Sequence, residues 1–156
     1  MLQHHERRQL PYRPEQLYAL VADIERYPEF LPWVAGARIT RRRGEVVWAD
    51  LMVGYKMIRE KFSSKVDFNS SEMTIEVEYL SGPLKHLSNE WRFEETPDGG
   101  CVIDFRVEFE FSKGFLQRLA QVFFDEVIKR MVSSFEARAH ALYGQQGRVQ
   151  TVPYGA

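Results

Sequence analysis

Three features of the chain predict an α+β fold, one curved antiparallel β-sheet wrapped around a long C-terminal helix, with short helices after the first strand. Between residues 34 and 112, segment after segment alternates apolar with polar residues. Short turn signals rich in Gly, Pro, Asn, Ser and Asp separate these segments. One long stretch near the C-terminus then repeats its apolar residues every three to four positions. Alternation with a period of two gives each strand one buried and one wet face, the pattern of an antiparallel sheet covered on one side only. The sheet and the helix must cover each other, because neither hides its apolar face alone.

The elements follow in order. Residues 2–11 read as a weak first strand. Pro14 sits well at a first helical position, where its missing N–H costs nothing. Leu17, Leu20, Val21 and Ile24 then recur at helical spacing, so 14–24 is a short amphipathic helix. The run Tyr27-Pro28-Glu29-Phe30-Leu31-Pro32-Trp33 holds two prolines among large apolar residues. It reads as a short helix or turn that caps a core or covers an opening.

Strands begin at Val34, with Gly44 marking a turn. In 46–58 the positions Val47, Ala49, Leu51, Val53, Tyr55 and Met57 share a face, and in 61–68 Phe62, Val66 and Phe68 do. After the turn at Asn69-Ser70-Ser71, the residues Met73, Ile75, Val77 and Tyr79 alternate against glutamates and Thr74. Beyond Ser81-Gly82-Pro83, Leu87, Asn89, Trp91 and Phe93 form one face. Asp98-Gly99-Gly100 is a strong hairpin signal. Cys101, Ile103, Phe105, Val107, Phe109 and Phe111 follow on one face. Leu116, Leu119, Ala120, Phe123, Phe124, Val127, Ile128, Met131, Val132, Phe135, Ala139 and Leu142 carry the 3.6 period of a helix over 115–143, stopped at Gly144. The 156 residues fit one domain over 1–144 with a loose tail at 145–156.

Composition narrows the function. A formal net charge of −1 leaves no basic surplus to demand a polyanion, so DNA is not an expected partner. The lone Cys101 rules out a disulfide within the chain and speaks against a Cys-based zinc site. His4 and His5 are neighbours on a strand and point to opposite faces, a poor chelate. No metal site is expected. No catalytic group is expected either: there is no glycine-rich phosphate loop and no nucleophile elbow. Adjacent Glu94 and Glu95 face apart. No secretory signal and no apolar run long enough to span a bilayer are read from the chain, so the expected location is the cytoplasm, with room for a peripheral place on the inner membrane.

Two features point to binding. The inner face offers more large apolar positions than one helix can cover, with Asn89 and Ser64 as polar points among them, which is the composition of a ligand pocket. The second feature is the basic group Arg38, Arg41, Arg42 and Arg43. It reads first as a solvated hairpin tip, then as a docking patch for anionic lipid headgroups, and third as an RNA surface.

The segment Val21-Ala22-Asp23-Ile24-Glu25-Arg26-Tyr27-Pro28-Glu29-Phe30-Leu31-Pro32-Trp33 resembles the signature of the coenzyme Q-binding family of START-like proteins. These belong to the polyketide cyclase and lipid transport superfamily, which shares the helix-grip fold. The likeness runs on through Leu87, Trp91, Phe93, Phe109-Glu110-Phe111, Phe123-Phe124, Phe135-Glu136-Ala137-Arg138-Ala139 and Tyr143-Gly144, so it covers residues 2–144. It departs at Val34-Ala35, where relatives often carry a cysteine.

The resemblance implies a non-enzymatic lipid chaperone that holds ubiquinone or a similar prenyl lipid as a bound ligand, with no cofactor, and supports respiratory electron transport. On that basis Tyr27, Phe30, Leu31 and Trp33 are the expected lid. Phe123, Phe124, Val127 and Met131 are the helical wall, and Val53, Tyr55, Ile75, Val77, Asn89, Trp91, Phe105, Val107 and Phe109 line the sheet side. The same family includes bacterial ribosome-association toxins that bind the large subunit and block subunit joining, an alternative that this sequence does not separate. A polyketide aromatase or cyclase is a third reading, which requires acid–base groups inside the cavity.

Overall fold

The computed structural model describes residues 1–55, 58–112, 114–145 and 147, with the backbone alone for 58 and 114–119. Met57 and nearly all of the expected tail lie outside the described residues, as do the side chains of Leu116 and Leu119.

Seven strands, β1 (Leu2–Leu10), β2 (Val34–Arg43), β3 (Val46–Tyr55), β4 (Ile58–Asn69), β5 (Thr74–Ser81), β6 (Leu84–Glu95) and β7 (Cys101–Phe111), form one antiparallel sheet. Its order is β1-β7-β6-β5-β4-β3-β2, so β2 through β7 form a meander and β1 closes on β7. The inner register is the expected one: Val47, Val66 and Val77 lie side by side across β3, β4 and β5, and Trp91 lies beside Phe105 across β6 and β7.

The first helix, α1 (Pro14–Ala22), starts with Pro14 in its first turn, where the Arg13 N–H donates to Gln16 Oε1 at 2.8 Å. A 3-10 turn over Ile24–Glu29, with Pro28 inside it, leads into the Phe30–Trp33 segment. The glycine at 44 adopts φ +59° in the β2–β3 turn. Met73 takes φ +55° at the end of the β4–β5 turn, so β5 begins one residue later than the alternation suggests.

One expectation fails. The helix over 115–143 is not continuous. It is α2 (Gly114–Glu126), a 3-10 turn at Ile128–Arg130, and α3 (Met131–Tyr143). Neither Gly nor Pro marks the break, so the apolar pattern reads straight through it.

The apolar core is fastened at both ends of the terminal helices. Tyr12 is fully buried, stacks on His140 and Tyr143, and shares a hydrogen bond with His140 Nδ1. The Tyr143 hydroxyl donates to the Gln16 carbonyl at 2.8 Å, tying α3 to α1. Fully buried side chains such as Phe109, Phe111 and Phe135 contribute about 2–3 kcal/mol each by leaving water.

A hollow between sheet and helix

The terminal helices do not cover the sheet evenly. The first of them, α2, packs on β7 and β1. There the large rings interlock: Phe123 meets Phe109 and Phe111 edge-on, and Phe135 meets Trp91, Tyr27 and Phe30. Over β3, β4 and β5 the inner positions carry smaller groups, among them Ala49, Val53, Ser64, Val66 and Val77. Rings crowd one side of the interior and short side chains occupy the other, so a cavity of about 180 Å³ remains. Leu51, Phe62, Val77, Tyr79, Leu87, Trp33 and Met131 line it yet keep partial exposure, and they mark its communication with solvent.

Of the expected site residues, Tyr27, Leu31, Trp33, Val53, Ile75, Val77, Asn89, Trp91, Phe105, Val107, Phe109, Phe123, Val127 and Met131 line this hollow together. Three do not. Phe30 turns away and packs on Phe135, with the Arg138 guanidinium 5.1 Å above its ring. Tyr55 stacks on Phe123 but directs its hydroxyl outward to the Glu126 carboxylate. Phe124 lies on the far side of α2 between His4 and Phe109, with the Lys129 ammonium over its ring. Phe123 and Phe124 are consecutive on a helix, about 100° apart, so only one of them can face a narrow cavity.

The expected lid is thus a pinned segment. Leu31 is buried, Trp33 receives the Gly54 N–H on its carbonyl at 2.9 Å, and Arg138 donates to Glu29 at 2.8 Å. Tyr27 donates its hydroxyl to the Val21 carbonyl, and burial raises its pKa far above the ordinary phenol value.

Lining residues outside the expected set include Ser64, Tyr79, Phe62, Leu51, Phe111 and Phe135. Most shared the inner register already read from the sequence, which shows the face of a strand but not where a void falls along it. The polar inner face of β1 was invisible to that reading. There Glu6 pairs with His4 at 3.0 Å and with Arg8, and Arg8 reaches Ser133 at 2.7 Å and Glu136 at 3.1 Å on α3. This polar seam seals the edge of the sheet onto the helix, where apolar packing stops.

None of the side chains lining the hollow is Asp, Glu, Lys, Arg, His or Cys. Cys101 is buried elsewhere in the core, and that burial pushes its thiol up to about 12, so it is no nucleophile near neutral pH. Among the described residues, no group of three or more His, Cys, Asp or Glu is arranged to hold a metal ion.

The basic group is rearranged. A register shift between Ile39 and Arg41 places Arg38, Arg41 and Arg43 on the outer face of β2, opposite Asp50, Trp48 and Val46. Arg42 pairs with Val47 and leaves that face. Arg59, Lys61 and Lys65 of β4 join it from the other side of β3. The result is six basic side chains against Asp50 and Asp67. Trp48 sits among them under the Arg41 guanidinium at 4.8 Å, and Met52 is exposed.

A curved antiparallel sheet that grips terminal helices around an apolar hollow defines a START-like, helix-grip protein. The family model for polyketide cyclase/dehydrase and lipid transport proteins matches residues 10–136, and the chain belongs to that family. It is 34% identical over 148 residues to the coenzyme Q-binding protein COQ10 homolog B, mitochondrial, of Xenopus laevis; the match takes in 93% of this chain but only 61% of that relative's length. It is 33% identical over 133 residues to the ribosome association toxin RatA of Rickettsia prowazekii, covering 83% of this chain and 90% of the toxin. Among solved structures, the 18 kDa protein CC1736 of Caulobacter crescentus matches with a TM-score of 0.74 at 36% identity, covering 92% of this chain and 99% of that one. The Zhui aromatase/cyclase of a Streptomyces species matches with a TM-score of 0.74 at 16% identity, covering 95% and 99%; that likeness shows the fold alone.

Proposed function

We propose that this protein is a non-enzymatic carrier that holds ubiquinone or a related prenyl lipid in its hollow and supports respiratory electron transport. The observation that carries this reading is the lining itself, which is hydrocarbon and aromatic almost throughout and bears no charged side chain. Such a lining suits a long apolar guest and offers no acid–base pair, which weighs against an aromatase or cyclase. The likeness to a coenzyme Q-binding protein points the same way.

Size and energy shape the proposal. At about 180 Å³ the hollow is below the ~300–1,000 Å³ of pockets that enclose a whole drug-sized ligand. It therefore takes the head and the first part of a prenyl tail, and the rest of the tail leaves through the mouth. Removing a five-carbon unit from water is worth about 4 kcal/mol at roughly 0.8 per carbon. A bilayer already supplies that gain, so transfer is nearly balanced and must occur at the membrane surface. The basic outer face of β2–β4, with Trp48 and Met52 on it, suits peripheral contact with an anionic leaflet, where each basic residue contributes about 1 kcal/mol. Among the described residues, no helix is long and apolar enough to cross a membrane.

Organic extraction of the purified protein followed by mass spectrometry is expected to release a prenylated quinone. Delipidated protein that takes none up from liposomes overturns the reading. Val107 lines the hollow at 7% exposure, so Val107→Arg is expected to lower uptake at least about tenfold, since an unpaired guanidinium cannot be desolvated there cheaply. Undiminished uptake by a folded Val107→Arg protein removes that residue from the site.

A second reading rests on the match to the ribosome association toxin over nine-tenths of its length. In it the same basic face, with Trp48, contacts RNA phosphates of the large subunit. Overexpression followed by sedimentation of ribosomal particles tests it; an unchanged ratio of subunits to joined ribosomes rejects it.

A further inference from the structure

Four polar side chains line the hollow, and their hydrogen bonds sort them into two pairs. Tyr27 and Asn89 are spent on the frame. Tyr27 donates to the Val21 carbonyl, while Asn89 donates to the Arg106 carbonyl at 2.8 Å and accepts from Trp91 Nε1 at 3.1 Å. Ser64 and Tyr79 are different. They are direct partners across the β4–β5 ladder. The Tyr79 oxygen accepts the Leu84 N–H at 2.9 Å, and among the described residues its own proton has no acceptor. The Ser64 hydroxyl makes no hydrogen bond to any described residue. An oxygen that already accepts a backbone N–H is committed to act as a donor toward anything else that approaches. Burial, aided by the nearby Glu60 carboxylate, holds the Tyr79 phenol above its ordinary value, so it keeps the proton it would donate.

We propose that Ser64 and Tyr79 read the head of the bound lipid as a pair of hydrogen-bond donors, selecting a neutral ring that carries acceptor oxygens only: the oxidised quinone in preference to its quinol, and either in preference to a lipid with a charged head. This deepens the carrier reading above and rests on it. The chemistry is one-sided. A quinone brings carbonyl acceptors that two hydroxyl donors satisfy. A quinol brings two more donors into a hollow where the Asn89 and Tyr27 oxygens are already engaged and the strand carbonyls pair within the sheet. A donor buried without an acceptor loses its hydration with nothing in return. A carboxylate or phosphate head would enter with no cation among the lining residues to meet it.

The test is a binding titration of delipidated protein with a short-tailed ubiquinone analogue. The analogue is used oxidised, then reduced under anaerobic conditions, with Trp33 and Trp91 fluorescence as the readout and a fatty acid of similar length as the charged control. The unmodified protein is expected to bind the oxidised form more tightly than the quinol by at least about fivefold, the worth of one hydrogen bond. Ser64→Ala and Tyr79→Phe are each expected to weaken binding of the oxidised form by about fivefold while leaving the quinol within about twofold, so the preference collapses.

A preference that survives in both folded variants overturns the donor pair, and so does equal binding of the two forms by the unmodified protein. In those cases the carrier reading stands. Binding of neither form rejects the carrier reading, and the donor pair with it. Tyr79→Phe also leaves the Leu84 N–H without its acceptor; if that variant fails to fold, Ser64→Ala, which breaks no bond of the frame, decides the outcome.

Discussion

Asp104 shows what a single residue does in the wet half of this sheet. It lies on the outer face of β7 yet is only 3% exposed, beneath His5 at 3.1 Å, Arg7 at 2.6 Å and Arg106 at 3.2 Å. Burial alone would raise its pKa; the three basic partners outweigh that and hold the carboxyl below its ordinary value. In the unfolded chain the group binds its proton at higher pH than in the native protein. Its contribution is therefore fully present above about pH 4 and is lost as pH falls further. Asp104→Asn is expected to cost about 2 kcal/mol near neutral pH, the worth of a charged hydrogen-bond set, and to make the acid limb shallower. Thermal denaturation from pH 7 to pH 3 checks both; an unchanged acid limb would show that Asp104 titrates alike in both states. Alternation placed Asp104 on the outer face correctly. What buried it is the length of the Arg7 and Arg106 side chains folding over it from the neighbouring positions, and spacing along the chain carries no trace of that.

At the scale of elements, the β5–β6 turn holds the clearest backbone constraint. Gly82 takes φ +144°, and a Cβ there would stand 2.9 Å from the Lys61 carbonyl and 3.0 Å from the Tyr79 hydroxyl. Gly82→Ala is therefore expected to destabilise the fold by about 1–3 kcal/mol, seen as a Tm lowered by several degrees. A Tm unchanged within error would mean that the turn relaxes freely. The strands were legible because each has one buried face and short connections. The break between α2 and α3 was not: it brings Val127, Ile128 and Met131 onto the hollow, and a 3.6-residue period is nearly as well satisfied by an unbroken helix. The bulge in β2 is a similar case. Arg38 and Arg41 differ by an odd number of positions, so strict alternation puts them on opposite faces. One extra residue in the strand brings them together.

Over the whole molecule, charge is divided unevenly. The chain carries −1 in total, while the outer face of β2–β4 holds six basic side chains against two acidic ones. The remainder is correspondingly acidic, so the protein presents one face to an anionic surface. The triple variant Arg41→Glu, Arg43→Glu, Lys65→Glu is expected to reduce sedimentation with vesicles containing anionic lipid by at least about tenfold, since each reversal removes about 1 kcal/mol of attraction and adds repulsion. Salt well above physiological strength should do the same to the unmodified protein, because the screening length falls below about 8 Å. Binding indifferent to both salt and charge reversal rejects this face as the contact.

What the amino-acid order determined by itself was local and periodic: seven strands with a stated inner face, an apolar terminal helix, a proline-punctuated aromatic segment, and a lining free of charge. Period and turn chemistry act between near neighbours, so a linear reading captures them. The tertiary structure alone decided where packing runs out. Side-chain sizes on strands distant in sequence meet only after the sheet curves, and their mismatch opens the hollow over β3–β5. The same three-dimensional meeting excludes Phe30, Tyr55 and Phe124 from the lining and leaves Ser64 and Tyr79 with hydroxyl protons to offer.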